Sequence, residues 1–312
     1  MPSKASMPAI WRLSADFLIW ARKSYFTNLM EPDVQNWHID YHSPHRGLTF
    51  EVQELLYTER SMYQEIKIVQ TPEFGKVMLL DGVLMLTEAD EFVYHEMLCH
   101  PSLITHPNPQ KVLIIGGGDC GTLNRVLEHP GVQQVVQVEI DEMVTRVSKL
   151  YFPALTAATK DPRAELIFAD GIAYLKQQES TFDVILVDST DPVGPAEGLF
   201  RQEFLADCHK ALKDDGILCL QCESPWIASL QPVIQQVNRD LHQLFPIVAP
   251  YTAAIQTYQA GLWMFQLASK QYNPLAVDAK ERFYARKLNC KYYNAPLHNA
   301  AFALPQFVLE LF

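Results

Sequence analysis

The sequence predicts an α/β protein: a Rossmann-like, doubly wound parallel sheet preceded by a small antiparallel β domain. Three observations predict it. From residue 110 onward the apolar runs KVLII, QVVQVE, AELIFA, FDVILVD and GILCLQ alternate with helical patterns. Runs that are apolar throughout suit strands covered on both faces. A glycine-rich turn, GGGDCG, follows the first run and opens a helix, as in nucleotide-binding α/β folds. Upstream, shorter β-rich runs flank Asp81-Gly82, a strong two-residue hairpin signal.

Taken in order, residues 1–36 read as a helical extension, either packed against a partner subunit or simply terminal. Its apolar stretch is interrupted by Arg12, Asp16, Arg22 and Lys23, well before the roughly 20 residues a membrane span needs. It also lacks the clean apolar centre and small-residue cleavage site of a signal peptide, so a cytoplasmic location is expected. Residues 37–103 form the β domain, with strands at 48–57, 63–70 and 76–86 and then an amphipathic linking helix over EADEFVYHEMLCH that ends before Pro101. Residues 104–312 form the Rossmann-like domain. Within it the stretch STDPVGPAEGL at 189–199 has the composition of an ordered loop that closes over a site.

A chain of 312 residues, 48% apolar, has material for a large core. Its net charge of −11 argues against nucleic acid or an anionic membrane surface and is compatible with cationic partners. The six cysteines are scattered through apolar runs, as reduced buried thiols are. Cys219 and Cys222 form a CxxC inside a strand, where a spacing of three sends the side chains to opposite faces and disfavours a metal or redox pair.

Gly116, Gly118 and Gly121 satisfy G-x-G-x-x-G, and Glu139 ends the next strand. That pattern serves a dinucleotide or a nucleoside without phosphates. Asp119, inside the turn, argues for the second. Its carboxylate beside a pyrophosphate would cost on the order of several kcal/mol. Asp170, Asp188 and Asp191 follow later strands, and the carboxyl ends of parallel strands share one crevice. Asp119, Glu139, Asp170, Asp188 and Asp191 should therefore converge. Singly, Asp170 and Asp141 also read as helix N-caps. Together, without a His or Cys cluster to hold a metal, the five acids point to organic cations such as a sulfonium and an amine.

These residues resemble the polyamine aminopropyltransferase family, the spermidine synthases in particular. The likeness runs from about residue 37 to the C-terminus. It rests on YQEI (63–66), LDG (80–82), DEFVYHEM (90–97), LIIGGGD (113–119), VEID (138–141), DSTDPVGP (188–195), and KYYN and HNAAFALPQF near the end. The resemblance implies a Rossmann-like fold of the class I AdoMet-dependent transferase type. It also implies transfer of an aminopropyl group from decarboxylated S-adenosylmethionine, a co-substrate, to putrescine, with no cofactor and no metal. By resemblance, Gln64, Gly116, Glu139, Asp170, Gly171 and Pro195 hold the nucleoside. His95, Asp119, Ser189, Thr190, Asp191 and Tyr258 bind the amine and aminopropyl portions, and Asp188 accepts the proton with help from Tyr94. A homodimer or homotetramer is implied.

Three departures from the family pattern stand out. Cys120 occupies a position usually held by glycine or a comparably small residue, and strain of order 1–2 kcal/mol follows if it needs a positive φ. Asn124-Arg125 replaces the usual Arg-Glu pair, so a local salt bridge is lost or rearranged. The stretch Gln256 to Gly261 reads QTYQAG where acceptor sites for putrescine read PTYPSG. Cadaverine, agmatine or a longer polyamine therefore stand beside putrescine as acceptors. An S-adenosylmethionine methyltransferase and a silent nucleoside- or polyamine-binding relative are the competing readings.

Overall fold

The computed structural model describes residues 36–43, 45–192 and 194–312, except for the side chains of Ser43, Pro195 and Gln259. The expected helical extension over residues 1–36 therefore lies outside the described residues, apart from Asn36. Strands β1 (Trp37–Ser43) and β2 (Arg46–Glu51) pair antiparallel. A four-stranded antiparallel sheet follows, made of β3 (Glu54–Arg60), β4 (Glu65–Thr71), β5 (Gly75–Leu80) and β6 (Val83–Thr87). The run expected as one strand at 48–57 is thus split between two sheets. At the β5–β6 turn Asp81 and Gly82 both have positive φ, +48° and +85°, as the predicted hairpin requires. Alternation along these strands covers both faces. Ile66, Ile68, Met78 and Leu80 pack on Val144 and Val147, whereas Val69, Val77 and Leu79 pack on Phe50 of β2.

The large sheet has seven strands in the order β12-β13-β11-β10-β7-β8-β9. The five expected strands are β7 (Lys111–Gly116), β8 (Gln134–Glu139), β9 (Ala164–Phe168), β10 (Phe182–Asp188) and β11 (Leu212–Gln221), all mutually parallel. Two further strands, β12 (Ile247–Ala254) and β13 (Leu262–Ser269), extend it, and β13 runs antiparallel to both its neighbours. The sheet is therefore mixed rather than wholly parallel. Sequence reading missed β12 because Pro250 interrupts it. Proline is tolerated there because β12 is an edge strand. Cys219 and Cys222 do pack into separate cores on the two faces of this sheet.

Helix α1 (Glu91–Thr105) departs from expectation twice. It runs through Pro101, and from Val93 to Thr105 it is buried on every side rather than amphipathic. Proline has no N–H for the carbonyl four residues back. That carbonyl, on Met97, accepts instead from the Tyr251 hydroxyl of β12 at 2.6 Å. The last carbonyls of the helix, which lack partners of their own, accept from guanidinium groups. Arg282 reaches Ile104 and Thr105, and Arg286 reaches Leu103. Packing against β11, β12 and the C-terminal helices thus carries a segment that its own sequence would end early.

Candidate active site

The site forms where β7 and β10 end. Gly116 has φ +85°, and a Cβ there would lie 2.1 Å from the carbonyl oxygen of Asp188. Only glycine lets the two strand ends touch, and the Gly117 N–H then donates to that oxygen at 2.8 Å. Helix α2 (Gly121–Leu127) leaves the turn after Cys120, whose φ is +67°. The strain expected of Cys120 is therefore present. Its thiol faces the buried core rather than the crevice, and burial pushes it up to about 12.

A cavity of about 480 Å³ lies between these strand ends and the β4–β6 hairpins. All five acids expected to converge line it: Asp119, Glu139, Asp170, Asp188 and Asp191. Gln64, Tyr94, Gly116, Gly171, Ser189, Thr190 and Tyr258 line it too, and no described lysine, arginine or histidine does. Residue 195 lies in the 3-10 segment Gly194–Phe200, with its side chain outside the described residues. Gly194, Ala196 and Leu199 from the expected closing loop reach the cavity wall.

At one end of the cavity, Glu139 accepts the Asp141 N–H at 2.8 Å. Burial, with the charges of Asp141 and Asp188, raises its pKa to about 7. Asp141 caps helix α3 (Glu142–Tyr151) through the Met143 N–H and also accepts from Ser61 and Gln64. Gln64 is thereby tied to the acid-bearing turn. Asp170 caps Gly171–Leu175 through the N–H groups of Ile172 and Ala173 while facing the cavity, so its two readings coexist.

At the other end, Asp188 accepts from the Tyr94 hydroxyl at 2.7 Å and from Thr122 at 2.6 Å. Burial and the nearby charge of Asp119 raise its pKa, against the effect of these hydroxyls. Asp119 has the opposite tendency. Burial alone would raise it, but His95 and the Gly121 N–H outweigh that and keep it ionised. Tyr258 stands between Tyr94 and Trp263 and donates to the Met85 carbonyl at 2.7 Å. Its loop is pinned to the start of α1 by Asp90, which accepts from the N–H and hydroxyl of Thr257.

One expected binder is placed elsewhere. His95 does not reach the cavity wall. It lies behind Asp119, with Nε2 3.3 Å from that carboxylate and Nδ1 2.8 Å from Glu91. Sequence reading also missed residues at the site, Thr122 on Asp188 among them. Asp40 and Trp263 line the cavity, and Gln221 lines it while donating to the Ser189 carbonyl. Glu223 is fully buried just behind, with one carboxylate oxygen unpaired. Burial and the charge of Asp191 raise its pKa well above the usual range. It follows β11, so the strand-end rule that located Asp170 and Asp188 also applies to it. Among the described residues, two further groups bring potential metal ligands together, His100–Glu128–Cys290 and His106–Asp183–Asp215, both away from the cavity.

Carboxylates thus gather at the strand ends of a Rossmann-like sheet, and cations are absent from the described cavity wall. Residues 91–280 match the spermine/spermidine synthase domain, and residues 36–88 match the spermidine synthase tetramerisation domain. A polyamine aminopropyltransferase from Bacillus mycoides strain KBAB4 is 46% identical over 278 residues, covering 89% of this chain and 99% of that protein. One from Bacillus subtilis strain 168 is 44% identical over 275 residues, covering 88% and 98%. Among solved structures, a spermidine synthase in complex with the transition-state analogue AdoDATO is similar with a TM-score of 0.85 at 38% identity, covering 88% of this chain and 94% of that one. Thermotoga maritima spermidine synthase gives 0.83, also at 38% identity, with 88% and 93% covered. The chain belongs to the spermine/spermidine synthase family.

Proposed function

We propose that the protein transfers the aminopropyl group of decarboxylated S-adenosylmethionine to putrescine, giving spermidine and 5′-methylthioadenosine. The observation that carries this reading is Asp188, held by two hydroxyls at the edge of a carboxylate-lined cavity whose described wall bears no cation. The donor is a sulfonium, so its leaving group is already activated and the chemistry calls for no cofactor. The acceptor presents the difficulty. A primary ammonium with a pKa near 10 must lose a proton, at a cost of about 4 kcal/mol near neutral pH.

In this reading Glu139 and Asp170 take the ribose hydroxyls and the adenine amino group, while Asp119 holds the donor's ammonium. Asp191, with Glu223 behind it, anchors the distal ammonium of the diamine. Asp188 receives the proton from the attacking nitrogen. The nitrogen lone pair forms the new C–N bond as the C–S bond breaks, and that electron pair returns sulfur to a neutral thioether. Holding both reactants in one cavity supplies further acceleration. Closure of the loop over 189–199 would exclude water. The tetramerisation-domain match supports a homo-oligomer, a tetramer in this reading.

The test is methylthioadenosine release from decarboxylated or ordinary S-adenosylmethionine, with putrescine, cadaverine, agmatine and spermidine as acceptors. Turnover is expected with the decarboxylated donor and fastest with putrescine. Turnover with ordinary S-adenosylmethionine alone, or with no amine, would overturn the reading. A different preferred amine would overturn only the choice of acceptor.

A further inference from the structure

Behind the cavity, side chains of alternating charge run away from the site. Asp119 faces Nε2 of His95 at 3.3 Å, and Nδ1 of His95 faces Glu91 at 2.8 Å. The other oxygen of Glu91 accepts from Arg125 at 3.3 Å, and Arg125 donates to Glu128 at 2.8 Å. Both ring nitrogens of His95 therefore face carboxylate oxygens, which asks both to carry protons. The row is buried, since the side chains of His95, Glu91 and Arg125 are 2%, 10% and 12% exposed.

The far end of the row is fixed by its donors. Arg286 donates to Nδ1 of His129 at 3.2 Å, so His129 carries its proton on Nε2 and donates to Nδ1 of His100 at 3.0 Å. His100 is left with its proton on Nε2, facing Glu128 at 3.8 Å. Burial and the guanidinium groups of Arg125 and Arg286 lower the His100 pKa to about 3, so His100 adds no charge and the charged row ends at Glu128.

We propose that Glu91 and Arg125, neither of which reaches the cavity, are positioning residues that hold His95 doubly protonated against Asp119 and so keep Asp119 an anion for the donor's ammonium. Burial opposes the charge on His95, but Asp119 and Glu91 outweigh it and raise its pKa well above the ordinary value. Arg125 acts one step further back, holding Glu91 ionised and fixing the oxygen that His95 meets. The other groups facing His95 are Tyr94 on its own helix, in edge contact at 5.4 Å, Gly121 at the start of α2, and Asp188 through its charge. None of them can replace the Glu91 carboxylate. The departure at position 125 thus becomes functional, because the arginine there reaches across to α1.

The role of Asp119 rests on the reading above, so the test begins with an observation that needs no turnover. Histidine ring NMR on full-length protein follows the protonation of His95, assigned with His95→Gln. In the parent protein His95 is expected to titrate well above the ordinary histidine range. In Glu91→Gln its titration should fall by at least about one pH unit, a tenfold change in proton affinity. Arg125→Met should lie between, and Arg125→Lys should restore the parent behaviour. The pH above which kcat/KM for the donor declines should move down with the His95 titration in Glu91→Gln, by at least about one pH unit, and activity should recover at lower pH as His95 regains its proton. An unchanged His95 titration in folded Arg125→Met would overturn the role of Arg125. An unchanged titration in Glu91→Gln would overturn the whole inference. If Glu91→Gln fails to fold, Arg125→Met against Arg125→Lys decides it. Shifted His95 titrations without any donor-dependent activity would instead place the failure in the proposed function.

Discussion

Asp188 and Glu139 are both carboxyls raised by burial, and their chemistry separates them. Asp188 has a hydroxyl on each oxygen and sits where an attacking amine would lose its proton. Asp188→Asn is expected to lower turnover by about two orders of magnitude or more, the usual worth of general-base assistance, while methylthioadenosine binding by calorimetry changes little. Glu139 is raised to about 7, whereas the same carboxyl in the unfolded chain ionises near 4.5. Between those values the folded protein holds the extra proton, so this group's contribution to stability is present at low pH and lost as pH rises through about 7. The loss is about 3 kcal/mol at most. In unliganded protein, Glu139→Gln should gain in melting temperature over the parent as pH goes from about 5 to 7, with no further gain above. Methylthioadenosine should bind the parent more tightly over the same rise, because ribose hydroxyls donate to the ionised form. An affinity that weakens with rising pH would contradict the assignment of Glu139 to the ribose.

Two elements show side chains serving backbone needs that the sequence does not advertise. Gly121, the last glycine of the turn motif, is the floor on which His95 lies. A Cβ there would fall 2.2–2.5 Å from three ring atoms. Gly121→Ala should displace His95 from Asp119 and reduce kcat/KM roughly tenfold or more, with the circular dichroism spectrum retained. Retained activity would show that the ring has room to move. Helix α1 depends on Tyr251 in a different way, since that hydroxyl takes the Met97 carbonyl left open by Pro101. Tyr251→Phe is expected to cost about 1–3 kcal/mol in thermal or urea denaturation, the price of an unpaired buried acceptor. An unchanged midpoint would mean that the carbonyl finds another donor.

At the scale of the whole molecule, the cavity draws on all three sheets. Asp40, Gln64 and Met85 come from the N-terminal strands and their turns, and Asp119, Glu139, Asp170, Asp188 and Asp191 come from the strand ends and loops of the Rossmann-like sheet. The N-terminal strands also expose apolar side chains, with Tyr41 at 68% and Leu55 at 53%. They fall within residues that match a tetramerisation domain, which makes them candidates for burial between subunits. In sedimentation analysis the parent chain is expected to run as an oligomer, and a Tyr41→Asp, Leu55→Asp double variant as a smaller species. Identical sedimentation would remove this face from the assembly.

Much of this was legible in the sequence, because strand ends and turns are local facts. The Asp81-Gly82 hairpin, the five parallel strands and the convergence of Asp119, Glu139, Asp170, Asp188 and Asp191 all follow from period, turn chemistry and the rule that parallel strands share one carboxyl edge. Tertiary structure alone decided what depends on neighbours distant in the chain. It carried α1 through Pro101, allowed the reversed β13 and its proline-bearing partner, set His95 behind Asp119 rather than in the cavity, and turned Arg125 toward Glu91. The physical reason is the same in each case: a buried carbonyl, ring or charge takes whichever partner the packed fold brings within hydrogen-bonding distance, and sequence spacing does not encode that partner.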